Sequence, residues 1–258
     1  MTYTTSLAKG QALREETLAL IQYWEPGMDA ETLAQAAVER NLLAKFTALR
    51  SLDIVKRIFA KRYLIDDAQP ARVLKTLTEL QASPRWITQV LLLYTTRFHH
   101  ILHDYITQVY WPKYEAGAAT LSRDDAEDFI ESAYHEGHIE TRWSATMRVR
   151  VARYLNNALV EFGYADDASG RDKALRTFII TPQMVVFLAY ELHQRGVSDT
   201  HMLTHRDWQL FGLEPNDVYR QLDLAAAHGH LLIQYAGDLL RAEWTYSSLD
   251  HVLHALTR

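Results

Sequence analysis

Four arginines, Arg142, Arg148, Arg150 and Arg153, fall within residues 141–160, a stretch with no acidic side chain in a chain whose formal net charge is −5. A guanidinium is planar, permanently charged and fork-shaped, which suits it to the oxygens of a phosphate. At about 100° per residue, Met147, Val151, Tyr154, Leu155, Ala158 and Phe162 gather on one side of a helical wheel. Arg142, Thr146, Arg150, Arg153 and Asn157 gather on the other. One side suits a core and the other an anion. Upstream, residues 123–136 have helical spacing and stop at Gly137. The unit therefore reads as helix, short glycine-containing turn, basic helix, the layout of a helix-turn-helix whose second helix enters the major groove of DNA. The plainer alternative is an amphipathic helix whose arginines are merely solvated.

The same charge logic recurs nearer the N-terminus. Lys45, Arg50, Lys56, Arg57, Lys61 and Arg62 stand against a single acid, Asp53, within residues 45–62. On the wheel Ala48, Leu52, Val55 and Phe59 face inward, while Arg50, Asp53, Arg57 and Lys61 form the opposite stripe. If Asp53 pairs with Arg50, Arg57 or Lys56 along the helix, the patch is weakened by a few tenths of a kcal/mol per pair without being abolished. Thr47, Ser144 and Thr146 sit near the expected helix N-termini, where hydroxyls and backbone N–H groups bind phosphate. The candidate contact set is thus Lys45, Thr47, Arg50, Arg57 and Lys61 on one surface, and Arg142, Ser144, Thr146, Arg148, Arg150 and Arg153 on the other. About six neutralised phosphates would give a slope of log K against log salt near −5.

Composition limits the rival chemistries. The 258 residues are 48% hydrophobic, ample for a core, and contain no cysteine, which excludes disulfides, thiolate metal sites and cysteine nucleophiles. The N-terminal residues lack a basic segment followed by an apolar one, so no secretion signal is expected. The most apolar stretch, residues 86–111, is interrupted by Arg97, His99, His100, His103 and Asp104, short of the roughly 20 apolar residues that span a bilayer. Neither a P-loop nor a GxSxG, HExxH or dinucleotide glycine motif is present, and no catalytic residue, cofactor or metal is expected. His99 and His103 with Asp104 would need a further metal ligand from elsewhere. His135-Glu136-Gly137-His138 has the wrong spacing and a helix-breaking glycine. Asp124, Asp125, Glu127 and Asp128 cluster where a helix begins, and the helix macrodipole accounts for acids there.

Periodicity predicts helices over residues 6–24, from a cap at Asp29 to about Asn41, over 47–63, from Pro70 to about Gln81, and over a long buried spine from Pro84 to about Trp111-Pro112. After the basic helix closes at Gly163, a turn-rich stretch precedes a β-prone run at residues 177–180, which suggests a wing. A helix then begins at Pro182 and ends before Gly196, and another covers 215–228. Two runs around Gly237-Asp238 form a hairpin, and a helix closes the chain over 248–256. The mixed charges of this last module suit packing or partner docking before DNA. Four regions follow: 1–66, 67–120, 121–195 and 196–258, in a mainly α fold with two helix-turn-helix elements and small β-hairpin, winged-helix-like additions.

Lys9-Gly10, Leu13, Glu15-Glu16-Thr17, Trp24, Pro26-Gly27 and Asn41-Leu42-Leu43 with Lys45, Thr47 and Arg50 resemble the opening of the BrxA family of bacteriophage-exclusion (BREX) defence systems. Asp207-Trp208, Leu210-Phe211-Gly212-Leu213 and Glu243-Trp244-Thr245-Tyr246 are similar to that family's C-terminal pattern. Ala44 stands where the family has glycine. The resemblance implies a small, helical, soluble, monomeric protein that binds double-stranded DNA through two helix-turn-helix elements; with the absent motifs and the interrupted apolar stretch, the expectation is a cytoplasmic, non-enzymatic protein with other BREX proteins as candidate partners and no membrane association. The rival reading is an assembly module whose basic faces dock acidic proteins. A single-stranded nucleic-acid or RNA binder stands third, since 14 tyrosines and 6 tryptophans could stack bases.

Overall fold

A computed structural model describes residues 2–5, 13–168, 172–236 and 239–257. The expected starts of the first helix at Ser6 and Leu7, the resemblance residues Lys9 and Gly10, and the hairpin turn Gly237-Asp238 lie outside these. The chain packs as two units, residues 1–72 with 91–178, and residues 73–90 with 179–258. The four regions expected from sequence are distributed over these two.

In the first unit α1 (Arg14–Tyr23) and α2 (Ala30–Glu39) lead into α3 (Ala48–Asp53). Asp29 caps α2 by accepting from the Thr32 amide at 2.8 Å, as its position before an apolar-periodic run requires. Asn41 turns the chain with φ 52°, and Ala44 is not among the positive-φ residues described, so alanine fits there without strain. α3 does not run on as a regular helix. It passes through a π-helical segment, Ile54–Phe59, into α4 (Ala60–Tyr63). A π-turn holds an extra residue and rotates everything after it relative to a 100° wheel. Ala48, expected inward, is exposed ahead of that segment, whereas Val55 and Phe59 are buried as the wheel requires, together with Ile54, Ile58, Tyr63 and Arg62.

α5 (Gln69–Glu79) and α6 (Pro84–Phe98) follow. The expected spine is broken at His99 (φ −110°, ψ 81°), then resumes as α7 (His100–Tyr105), a π-segment Ile106–Tyr110 and α8 (Trp111–Glu115). Pro112 is the second residue of α8, which continues without a break from the π-segment, so the helix runs on to Glu115 rather than ending at Pro112.

The break at His99 serves Arg62, whose guanidinium donates to His99 Nε2 at 2.7 Å within the core. That bond requires the imidazole to be neutral with its proton on Nδ1. Burial, then the Arg62 and His100 charges, hold the His99 pKa well below the usual histidine value. A folded pKa below the unfolded one makes the unfolded state take up the proton first. Stability should therefore be flat above about pH 6.5 and fall below it by up to about 1.4 kcal/mol per pH unit. Chemical denaturation across pH 5–8 measures this slope, and His99→Gln should flatten it.

β1 (Thr120–Leu121), α9 (Arg123–His135), α10 (Ala145–Phe162), β2 (Ala165–Asp167) and β3 (Lys173–Leu175) complete the first unit. The three strands form an antiparallel sheet in the order β1-β3-β2, with Leu121 opposite Lys173 and Ala165 opposite Leu175. The strand expected over residues 177–180 is absent there and lies earlier, because β3 takes its place from its partner β1. Phe178 instead stacks on Tyr164 at 3.9 Å, while the Tyr110 hydroxyl donates to the Arg176 carbonyl at 2.6 Å.

In the second unit α11 (Pro182–Gln194) begins with Pro182 in its first turn and Thr181 as cap. α12 (Asp199–Met202), a 3-10 turn at Arg206–Phe211 and α13 (Pro215–Ala227) follow. The expected hairpin forms from β4 (Leu231–Ala236) and β5 (Leu239–Trp244), antiparallel, with Leu231 opposite Trp244 and Ala236 opposite Leu239. Ser248 caps α14 (Leu249–Leu256). Among the described residues no helix is long and apolar enough to cross a membrane.

Candidate nucleic-acid interface

α10 is held from three sides. Its N-terminus is capped by Ser144, whose hydroxyl accepts from the Met147 amide at 3.2 Å. Its inner face buries Val151, Leu155, Ala158 and Phe162, as the wheel requires, together with Ala152 and Leu159, while Met147 and Tyr154, also expected inward, are half-exposed. Gly163 stops it in the left-handed region at φ 85°, a conformation open to glycine at little steric cost.

Asn156 adds a polar anchor that periodicity does not reveal. Its Oδ1 accepts from the buried Tyr105 hydroxyl at 2.6 Å, and its Nδ2 donates to the Ser122 carbonyl at 3.0 Å. One side chain thus ties α10 to α7 and to the cap of α9. Ser122 and Asp125 form a reciprocal capping box on α9. Burial alone would raise the Asp125 pKa, but the Lys113 ammonium at 2.6 Å and the Ser122 donors hold it below the usual value. Arg123 pairs with Glu127 at 2.8 Å. These pairings give Asp125 and Glu127 of the acidic cluster structural partners.

At the far end of α10, Glu161 accepts from the backbone N–H groups of Leu13 and Arg14. The N-cap residue of α1, Leu13, supplies no side-chain acceptor, so Glu161 fills that role from another element. Burial and the Glu16 charge nevertheless raise its pKa.

The candidate contact residues divide sharply by their neighbours. Lys45 pairs with Glu15 at 2.5 Å, Lys56 with Glu31 at 2.6 Å, and Asp53 accepts from both Arg50 at 2.8 Å and Arg57 at 3.1 Å. Thr47 caps α3 through the Arg50 amide. With Arg62 in the core, Lys61 is the one cation of that surface for which no ion pair is found among the described residues. The 45–62 segment is thus largely neutralised, by Glu15 of α1, Glu31 of α2 and its own Asp53.

On the second surface Arg142 and Arg148 both bond Glu131 of α9, and His135 Nε2 lies 3.4 Å from the same carboxylate. Thr146, Arg150 and Arg153 are exposed on the outer face of α10. Arg150 and Arg153 make no ion pair among the described residues, and Arg153 lies over its own neighbour, Tyr154, at 5.4 Å. The connection from α9 to α10, residues 136–144, is longer than the three- or four-residue turn expected for a compact helix-turn-helix.

Other sequence candidates resolve into structural roles. His99 is engaged by Arg62, and His103 Nδ1 lies 3.0 Å from Asp104, which also accepts from the Tyr3 hydroxyl at 2.6 Å. Among the described residues no group of three or more histidine, aspartate or glutamate side chains converges as a metal site.

A family model described as BrxA matches residues 1–191, which take in α1 to α10 and both basic segments. No curated protein matches the chain. Among solved structures, the crystal structure of an uncharacterized protein from Magnetospirillum magneticum is similar, with a TM-score of 0.59 and 14% identity over 75% of this chain and 95% of that one. At that identity the likeness concerns fold alone. The family match extends over most of the sequence and carries the assignment: the chain belongs to the BrxA family.

Proposed function

We propose that this protein is a non-enzymatic, double-stranded-DNA-binding component of a BREX defence system, with α10 as its recognition helix and the β2–β3 hairpin as a wing. The observation that supports this reading is the element order β1-α9-α10-β2-β3 with β1 hydrogen-bonded to β3, the order in which a winged helix would place its strands and helices. In that arrangement the second helix of the pair lies in the major groove. Here that helix presents Arg150 and Arg153 outward with no acid beside them. The BREX setting rests on the family. DNA contact by the 45–62 surface is a smaller contribution, since its cations already have carboxylate partners.

The salt dependence tests the electrostatic mechanism. Six phosphate contacts fall to about three or four once the paired cations are discounted, giving a slope of log K against log salt near −3. Fluorescence anisotropy with a mixed-sequence duplex measures it, and a slope near zero would remove the mechanism.

Glu131 competes with phosphate for Arg142 and Arg148. Glu131→Gln should tighten duplex binding about threefold and steepen the salt slope by about one, the effect of releasing roughly one further contact. An unchanged slope would mean that these arginines do not reach the backbone.

Docking of another defence component is the second reading. It is favoured by the exposed apolar side chains Leu224 on α13 and Leu232 on β4, at 56% and 60% exposure. A complex of this chain with a BREX protein that persists in high salt, with no duplex binding in low salt, would favour it over DNA contact.

A further inference from the structure

The outer face of α10 carries a side chain that phosphate binding does not need. Val149 is 39% exposed, flanked along the helix by Thr146, Arg150 and Arg153, all exposed. Spacings of three and four residues put Thr146, Val149, Arg150, Arg153 and the half-exposed Asn157 on one continuous stripe. At about 1.5 Å per residue the stripe is roughly 16 Å long, about five base-pair steps of major groove. Arg142 and Arg148 flank it but are oriented away from such a role by Glu131.

A helix that touched only phosphates would gain nothing from an isopropyl group in water among its cations. In the major groove the same group has a partner of matching chemistry, the C5-methyl of thymine, and an arginine one position on has the O6/N7 edge of guanine. Thr146 adds a methyl and a hydroxyl one turn earlier. Asn157, at the far end, has the donor and acceptor pair that matches adenine N6/N7.

We propose that α10 reads base edges, with Val149 against a thymine methyl and Arg150 bidentate on a guanine, so that this protein binds duplex DNA sequence-selectively. The inference rests on the reading of α10 as a recognition helix and adds to it the class of site: a short motif pairing a guanine with a neighbouring thymine. Arg153 and the groups held by Glu131 then position the helix on the backbone without selecting sequence.

The experiment is iterative selection of the full chain on duplexes with a randomised core, followed by titration of the enriched site and of a mixed-sequence duplex. The expected result is an enriched guanine-thymine motif bound at least about tenfold tighter than mixed sequence, the discrimination that one or two good base contacts provide. Replacing thymine by deoxyuridine in that site removes only the methyl, and should weaken binding several-fold for the native chain but not for Val149→Ala. Arg150→Lys keeps a charge but loses the fork, and should lower affinity for the enriched site about tenfold more than for mixed sequence. Binding to mixed sequence with no enrichment would overturn base reading and leave the DNA-binding reading standing. An enriched motif indifferent to both substitutions would take the reading away from α10. No binding at all in low salt would overturn both.

Discussion

Reversing charge at Arg150 and Arg153 together should weaken binding to mixed-sequence duplex by about a hundredfold or more. Each guanidinium hydrogen bond to DNA contributes about 1.5–3 kcal/mol, and the loss of two, even at the lower figure, is about 3 kcal/mol. The glutamates add repulsion from the phosphates. Both side chains are exposed on the outer face of α10, and no carboxylate compensates them among the described residues, so their replacement leaves no buried group unpaired. Thermal stability should stay within about 0.5 kcal/mol of the native chain, as for ordinary surface changes. Anisotropy titration with the double variant checks the first figure and denaturant unfolding the second. Native-like affinity would remove α10 as a contact surface. The matched reversal at Arg50 and Arg57 should cost much less, because Asp53 already holds both groups.

Asn156→Ala is expected to destabilise the first unit by about 3 kcal/mol. The substitution removes two hydrogen bonds worth about 1 kcal/mol each and leaves the Tyr105 hydroxyl and the Ser122 carbonyl without this partner in the interior, at a further cost of about 1–3 kcal/mol. The Tyr105 pKa is pushed well above its ordinary value, chiefly by burial and then by the Asp125 charge, in keeping with a hydroxyl shut away from water. Asn157→Ala, one residue on and half-exposed, should change stability by less than about 0.5 kcal/mol. The midpoint of urea unfolding at constant m-value separates the two. A cycle with Tyr105→Phe should return a coupling of about 1 kcal/mol, and strict additivity would show that the bond contributes nothing. Because Asn156 ties α10 to the start of α9, its loss should also loosen DNA binding more than the fall in folded fraction accounts for.

Much of this was legible in the sequence wherever the cause is local. The inner face of α10, the Asp29 cap, Pro182 in the first turn of α11, the Gly163 stop and the pairing of residues 231–236 with 239–244 follow from periodicity, capping and turn chemistry. Such signals act within a few residues, so no knowledge of neighbours in space is needed. The resemblance to the BrxA family was legible for the same reason, as a pattern of residue types along the chain.

The electrostatic character of the two basic segments was not legible, because it is decided by partners distant in sequence. Lys45 meets Glu15, Lys56 meets Glu31, and Arg142 and Arg148 meet Glu131 only because the helices that carry these acids pack beside them. Arg62, seven residues after Val55, falls on the inward side of the wheel, but that a buried guanidinium is met there by a neutral imidazole depends on His99, thirty-seven residues on in the chain. The strand expected over residues 177–180 moved for a related reason. A strand exists only where a partner edge offers hydrogen bonds, and β1 offers them to residues 173–175 rather than to the more β-prone 177–180. The sequence by itself determined most of the helical segments, several of their caps and stops, and how many cations they carry. The tertiary structure decided which of those cations still face water without a counter-charge, because a carboxylate brought in from another helix neutralises a cation however far apart the two lie along the chain.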